Sequence, residues 1–355
     1  MIKPSVREQP AYTLAAPQAR RKLNQNESPF DFPPELKRQV LEQASGRAWQ
    51  RYPEFAPPDL LARLAAHYGW LADGVLVGNG SNELIQSTLA VTLSAGDAVV
   101  APSPTFSLYR LLTAVFGGRY VPVPLRDGYV FDVDALIDTA RRAAAKVIVL
   151  NSPNNPTGSA LPEGAVERIL SATTALVVAD EAYQDFGGPS AVGLLPRSSR
   201  LVVLRTFSKA LGLAGLRFGL ALAHPAVARE IAKGKLPYNV NVVTLAAART
   251  ALEHAPMLAA RTREVIAIRD RFVARLATVP GLTVYPTAAN FVLMRCARPP
   301  AKDLFRRLLD DYGILVRDVS DSPQLSECLR ISIGTSEDMD AVIHALEEIV
   351  SGEQV

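Results

Sequence analysis

From Pro57 onward, short apolar runs alternate with helical patterns. The runs are Gly74–Gly78, Asp97–Ala101, Tyr120–Val123, Lys146–Leu150, Ala175–Ala179, Leu201–Arg205 and Phe218–Ala223. Most are rich in Val, Leu and Ile without polar alternation, as strands buried on both faces should be. Helical segments between several of them demand right-handed crossovers, which predicts an α/β fold with a mostly parallel seven-stranded sheet flanked by helices. The stretch 242–278 reads as helix, with Pro256 as a break or a first-turn residue. Beyond it come the runs Leu282–Tyr285, Asn290–Arg295, Ile314–Arg317 and Cys328–Ile333, with helices over Ala301–Tyr312 and Glu337–Val350. That is a second, smaller α+β unit. The first forty residues are proline-rich and polar and read as an arm. The organisation predicted is an arm over 1–40, a large domain over 41–245 and a small C-terminal domain over 246–355.

Composition narrows the function classes. The chain has 355 residues, 48% of them hydrophobic, which is ample material for a core of this size. A formal charge of +3, with Lys and Arg scattered, argues against a nucleic-acid partner. The two cysteines, Cys296 and Cys328, lie outside any metal-ligand spacing and read as buried reduced thiols. No metal is expected. The opening MIKPSVREQP lacks the apolar core of a signal peptide, and no apolar run of about 18 residues suggests a membrane span. A soluble cytoplasmic protein is expected.

The candidate chemistry sits just after the apolar runs, where ligands bind in open α/β sheets. Gly78-Asn79-Gly80-Ser81-Asn82-Glu83 either cradles a phosphate at a helix N-terminus or is a plain turn with Ser81 or Asn82 as N-cap. Asn151-Ser152-Pro153-Asn154-Asn155-Pro156-Thr157-Gly158 is loop chemistry, or it offers Asn155 as an amide donor to a phenolate oxygen. Asp180 closes an apolar run as a helix N-cap or as the partner of a protonated ring nitrogen, with Tyr183 three residues on. Lys209 lies among small and apolar residues, as a surface lysine or as one desolvated for covalent chemistry with an aldehyde. Thr206, Ser208 and Arg217 around it look like a second half of a phosphate cup.

Together these segments resemble fold-type-I pyridoxal-phosphate aminotransferases and, more narrowly, the histidinol-phosphate aminotransferase family. The likeness runs from about Leu23 to Gly334. It is carried by Asn-Ser-Pro-Asn-Asn-Pro-Thr-Gly at 151–158, by Asp180-Glu181-Ala182-Tyr183, and by Thr206-Phe207-Ser208-Lys209 running on to Gly215-Leu216-Arg217. Leu23-Asn24-Gln25-Asn26-Glu27-Ser28-Pro29, Arg51-Tyr52-Pro53, the segment 235–241 and Leu329-Arg330-Ile331-Ser332-Ile333-Gly334 narrow it.

The resemblance implies that Lys209 holds pyridoxal 5′-phosphate as a Schiff base and moves the substrate's proton. It implies that Asp180 keeps the pyridine nitrogen protonated, and that Asn155 and Tyr183 donate to the ring's 3′ oxygen. Ser81, Asn82, Thr206, Ser208 and Arg217 would hold the phosphate, and Phe106 would stack on the ring. Many relatives carry tyrosine at that position, so a hydroxyl is missing here. Tyr52 would reach the cofactor of a partner subunit, making a homodimer part of the site, and the arm would pack on the small domain and on that partner. Arg330 would grip the carboxylate of glutamate or the phosphate of histidinol phosphate in two-point fashion. Arg317 is a second phosphate-binding arginine or a strand-end residue paired with Asp318. Tyr12 and Asn26 would close over the substrate.

The expected reaction is ping-pong transfer between histidinol phosphate and 2-oxoglutarate, giving imidazole-acetol phosphate and glutamate. Alternatives on the same scaffold are an aromatic amino-acid aminotransferase, which needs no second anion-binding arginine, and a threonine-phosphate decarboxylase. A non-catalytic regulator would need a DNA-binding module, and about forty residues before the motif region are too few for one.

Overall fold

The structure, a computed structural model, describes residues 2–9 and 17–352. Tyr12 lies outside the described residues. All seven apolar runs form strands of one sheet. Its order is Val75–Gly78, Gly219–Ala223, Leu201–Thr206, Leu176–Asp180, Val147–Asn151, Ala98–Ser103 and Arg119–Pro124. Every pairing is parallel except those of Gly219–Ala223, which runs antiparallel to both neighbours. The central strands are buried along their whole length, because helices cover both faces and leave no solvated side to require polar alternation. The register pairs Asn151 with Asp180 and Thr206 with Gly219, which in turn sits opposite Gly78. The chemistry-bearing loops therefore leave the sheet along one edge.

A second sheet orders Arg317–Asp318, Cys328–Ser332, Phe291–Cys296 and Leu282–Val284, antiparallel throughout. The single run expected over Ile314–Arg317 is split between two sheets. Ile314–Leu315 pairs in parallel with Arg21–Lys22, and Arg317–Asp318 pairs with Cys328–Ser332. Periodicity could not show this, since the buried Val316 between them continues the apolar run.

The stretch 242–278 is two helices, Val242–Glu253 and Ala255–Leu276, with Pro256 in the first turn of the second. The boundary expected at 245 falls inside the first helix. Leu245, Ala251 and Leu258 pack into the core of the large sheet, whereas Val265, Ile268 and Phe272 pack into that of the small one. The long helix passes from one core to the other. The expected arm also divides. Helix Pro34–Ser45 begins inside it, and Phe32, Leu36 and Val40 are buried in the large core. The spacing Leu36, Val40, Ala44 is helical, but Glu, Lys, Arg and Gln dilute it.

Cys296 and Cys328 are buried free thiols. Among the described residues no helix is long and apolar enough to cross a membrane.

An internal ion pair braces the sheet edge beside the chemistry. Glu181 and Arg205, both nearly buried, lie 3.2 Å apart at the ends of adjacent strands. Glu181 also accepts from Ser190 Oγ at 2.8 Å and from the Ala191 amide at 2.5 Å. Glu181→Ala is expected to lower stability by roughly 2 kcal/mol, because it leaves the buried Arg205 guanidinium with the more exposed Asp185, 3.3 Å away, as its remaining carboxylate partner. Chemical denaturation of the two proteins checks this, and a loss within error of zero would contradict it.

Candidate active site

The residues singled out from the sequence, Tyr12 and Tyr52 aside, line one cavity of about 1580 Å³ at the carboxyl edge of the large sheet. Its floor is built from strand ends. Asp180 closes strand Leu176–Asp180 and is 3% exposed. Its Oδ2 accepts from Tyr109 Oη at 2.6 Å and its Oδ1 from the Ala182 amide at 3.1 Å. Burial pushes the carboxyl above its ordinary value, and the two donors oppose that shift. Among the described residues no lysine, arginine or histidine pairs with it. The N-cap alternative does not hold, since the short helix that follows has Tyr183 at its N-cap and Asp180 caps no helix among the described residues.

Lys209 projects toward the same floor. Its Nζ donates to the Gln25 carbonyl at 2.9 Å and lies 5.7 Å from the centre of the Tyr183 ring. Burial and then the charge of Arg330 bring its pKa down to about 7, with Glu27 acting the other way. An amine with that value is largely neutral just above pH 7, which is the state that attacks an aldehyde. Tyr183 is held edge-on against Phe291, with ring centres 5.1 Å apart, and accepts from Asn26 Nδ2 at 3.0 Å.

One wall is a cup of donors. Helix Ser81–Thr92 starts here with Gly80 at its N-cap, and no side chain caps it, so Ser81 is a helical residue and not the cap. Gly80 is favoured by its backbone, and a side chain there would also displace Arg217. The φ of +82° at Gly80 disfavours a side chain, and a Cβ there would lie 2.5 Å from Arg217 Nη2. Gly219 lets the helix approach the sheet, since its Cβ would fall 2.2 Å from the Ser81 amide nitrogen. Arg217 adopts a left-handed φ of +56° and donates to Ser208 Oγ at 3.1 Å and to the Ala214 carbonyl at 3.0 Å. Thr206 Oγ1 accepts from the Ser208 amide at 3.2 Å. Uncapped helix amides, three hydroxyls and a guanidinium around one space suit a phosphate.

The opposite wall comes from the small sheet. Arg330 is nearly buried, with Nη1 donating to Asn155 Oδ1 at 2.5 Å and Nη2 to the Asn24 carbonyl at 2.7 Å. Arg317 stands directly opposite it on the neighbouring strand. No ion pair joins Arg317 to Asp318 among the described residues, so the strand-end alternative finds no support. Phe106 lies edge-to-face with Tyr109 at 5.6 Å. Tyr52 is elsewhere: it is 81% exposed and stacks on Tyr238 at 4.6 Å, outside the Lys209 cavity of its own chain.

Comparison with known proteins bears on this geometry. Residues 21–346 match the family model described as aminotransferase class I and II. The histidinol-phosphate aminotransferase of Chlorobaculum tepidum is 38% identical over 351 residues, spanning 98% of this chain and all of that protein. Histidinol-phosphate aminotransferase 2 of Bordetella bronchiseptica is 38% identical, spanning 99% and 96%. The chain belongs to the class I and II aminotransferases, in the histidinol-phosphate aminotransferase family. Among solved structures, that of histidinol-phosphate aminotransferase from Sinorhizobium meliloti in complex with pyridoxal-5′-phosphate superposes with a TM-score of 0.89 at 28% identity, covering 99% of this chain and 98% of that one.

Within this family frame, three contributors were given no role by the sequence, although Asn151 and Ser332 stand within its motifs. Tyr109 is fully buried and reads as core, yet its hydroxyl is the shortest contact to Asp180. Asn151 accepts from the Asn155 amide at 2.8 Å and donates to the Asp180 carbonyl at 3.2 Å, which ties the asparagine loop to the strand end. Ser332, two residues beyond Arg330 on the same strand, bonds Asn26. A spacing signal existed for two of these. Tyr109 is three residues after Phe106 at a helix start, and Ser332 shares the strand face of Arg330. Among the described residues no cluster of His, Cys, Asp or Glu is arranged to hold a metal.

Proposed function

We propose that this protein is a pyridoxal-phosphate-dependent histidinol-phosphate aminotransferase, interconverting L-histidinol phosphate and 2-oxoglutarate with imidazole-acetol phosphate and L-glutamate. The observation that carries the substrate reading is the opposed pair Arg317 and Arg330 on one wall of the Lys209 cavity. Like charges on directly opposite strand positions repel, and a doubly charged anion between them removes the penalty. The donor set fits the cofactor. Asp180 is a buried carboxylate without a cation, and a protonated ring nitrogen supplies one. The cup at Gly80 and Arg217 fits a phosphate, and Lys209 is an amine of depressed pKa.

When bound, pyridoxal phosphate supplies an aldehyde that takes amines and a protonated ring that accepts the electron pair left at Cα. The chain's own residues do the rest. Asp180 Oδ holds the proton on the ring nitrogen. Arg330, by donating to Asn155 Oδ1, turns the Nδ2 of Asn155 outward as a donor, and Tyr183 adds its hydroxyl. These donors favour the ionised 3′ oxygen. With its amine free, Lys209 Nζ would take the proton from the substrate's Cα and return it at the cofactor's former aldehyde carbon, C4′. Arg330 and Arg317 fix the remote anion, so the Cα–H bond is aimed at that base. Glutamate presents a carboxylate to the same arginine, which lets one site serve both half-reactions.

The working unit we propose is a homodimer. Tyr52, Phe55 and Tyr238 are exposed aromatics packed on one another, with ring centres 4.6 and 5.8 Å apart, and such an exposed apolar cluster suits a partner surface. Tyr52 then reaches toward the second copy's cofactor. A cytoplasmic location suits two unpaired buried thiols.

A half-reaction titration tests the substrate reading. Histidinol phosphate, phenylalanine and threonine phosphate are each offered to the cofactor-loaded protein while its visible band is followed. Rapid loss of the band with the first alone is expected. Equal speed with phenylalanine makes the protein an aromatic aminotransferase, and release of carbon dioxide from threonine phosphate makes it a decarboxylase.

A further inference from the structure

Ser332 and Asn26 form a relay that acts on Tyr183. The Ser332 hydroxyl accepts the Asn26 backbone N–H at 2.8 Å and faces Asn26 Oδ1 at 3.1 Å. A hydroxyl has one proton. Having accepted from the backbone, Ser332 directs that proton to Oδ1 and so defines which end of the amide is oxygen. Asn26 Nδ2 is thereby presented to Tyr183 Oη, 3.0 Å away. The backbone is held as firmly. Asn26 has a left-handed φ of +55°, which asparagine tolerates better than most residues, and its carbonyl accepts from Asn290 Nδ2 at 3.1 Å. Asn26, Ser332, Asn290 and Tyr183 are 1%, 3%, 0% and 5% exposed, so water does not compete for these bonds.

We infer that Ser332, acting through Asn26, is a positioning residue that strengthens Tyr183 as a hydrogen-bond donor to the cofactor's phenolic oxygen. The inference rests on the cofactor reading above and adds residues that it did not need. An amide proton donated into Oη polarises the Tyr183 O–H and makes it a better donor. A stronger donor favours the ionised ring oxygen, which lowers the proton affinity of the nitrogen joined to Lys209. The strand carrying Arg330 for the substrate therefore also tunes the cofactor, two residues further on. Lys209, Asp180, Arg330 and Tyr109 are the charged and titratable groups nearest this corner; Glu27, Arg217 and Lys22 also act on Lys209, and Arg269 reaches in from the long helix to the Phe186 and Ala289 carbonyls. Replacing Ser332 changes the charge of none of them.

The test is the pH titration of the cofactor's visible band in four loaded proteins: wild type, Ser332→Ala, Tyr183→Phe and the double variant. Ser332→Ala is expected to raise the midpoint by about one pH unit, a tenfold change in proton affinity of the size one hydrogen bond to the site produces. In the Tyr183→Phe background the same change is expected to shift nothing further, since the relay has lost its target. Ser332→Thr, which keeps the hydroxyl, is expected to restore the wild-type midpoint. kcat should fall several-fold in Ser332→Ala with KM for histidinol phosphate little changed. An unshifted midpoint in Ser332→Ala, or an equal shift with and without the Tyr183 hydroxyl, overturns the relay. A wild-type protein that shows no lysine-dependent visible band overturns the cofactor reading itself, so the two failures are separable.

Discussion

Lys209→Ala is expected to remove transamination and the borohydride-fixed bond between protein and cofactor together. The two losses have one origin. The ammonium of an exposed lysine titrates near 10.5, whereas Lys209 titrates at about 7 because it is buried and faces Arg330. At pH 8 its amine is therefore mostly neutral, and the same nitrogen serves first as nucleophile and later as base. Removing a positioned base alone costs about 10²–10⁴-fold; losing both roles should take turnover to the assay floor. The cofactor itself should remain, held by the cup at Gly80, Ser208 and Arg217 and by Asp180, none of which the substitution touches. Mass spectrometry after borohydride treatment reads the covalent part, and dialysis against absorbance reads the residual binding. In the wild type, the rate of covalent capture should climb as pH rises through about 7 and then level off, because deprotonation makes the nucleophile. A climb centred near 10 would mean that burial does not act on this amine. A cofactor adduct that persists in Lys209→Ala would move the chemistry to another lysine.

The fold was legible because its strands carry a signal that needs no partner. The seven runs fell on seven strands to within a residue or two; the central strands are covered on both faces and so apolar throughout, whereas in Arg119–Pro124 at the sheet edge only Val123 is buried. The strand ends were legible too: polar residues directly after such runs, at Asp180 and at Thr206 to Lys209, stand where an uncompensated group would be costly. What escaped is non-local. Tyr109 lies 71 residues from the carboxylate that it contacts, and a buried tyrosine on an amphipathic helix is indistinguishable from core until that contact is seen. Ser332 and Asn26 are 306 positions apart. The helix over Pro34–Ser45 was hidden for another reason. Only Leu36, Val40 and Ala44 of its twelve residues are buried, and the charged remainder reads as an extended polar arm. The split at Val316 shows a third limit. One apolar run fed two sheets, because backbone pairing is decided by Arg21–Lys22 and by Cys328–Ser332, both remote in sequence.

Asp180→Asn should separate what the site does for the reaction from what it does for the fold. The substitution keeps size and some hydrogen bonding, but an amide cannot balance a protonated ring nitrogen. Turnover is expected to fall by roughly 10²–10³-fold or more, the scale of losing one preorganised electrostatic partner, with cofactor still bound. Without cofactor the sign reverses. Burial raises the folded carboxyl's pKa above its ordinary 3.8. Below that ordinary value the group is protonated in both folded and unfolded chains, and its charge has no bearing on stability. As pH rises, the unfolded chain ionises first, so the folded state loses ground until its own raised pKa is passed. The uncompensated charge is then a constant cost, reduced but not cancelled by Tyr109 and Ala182. Asp180→Asn lacks that cost. Its cofactor-free form should unfold at a temperature equal to or above that of the wild type at neutral pH, and the advantage should shrink as pH falls toward about 4. Cofactor should help the wild type more than the variant, because only the carboxylate gains a counter-charge from the ring. Thermal melts of the four species at two pH values provide the check. A variant less stable than wild type without cofactor would mean that the bonds to Tyr109 and Ala182 outweigh desolvation, and that Asp180 is held in place for the fold as much as for the chemistry.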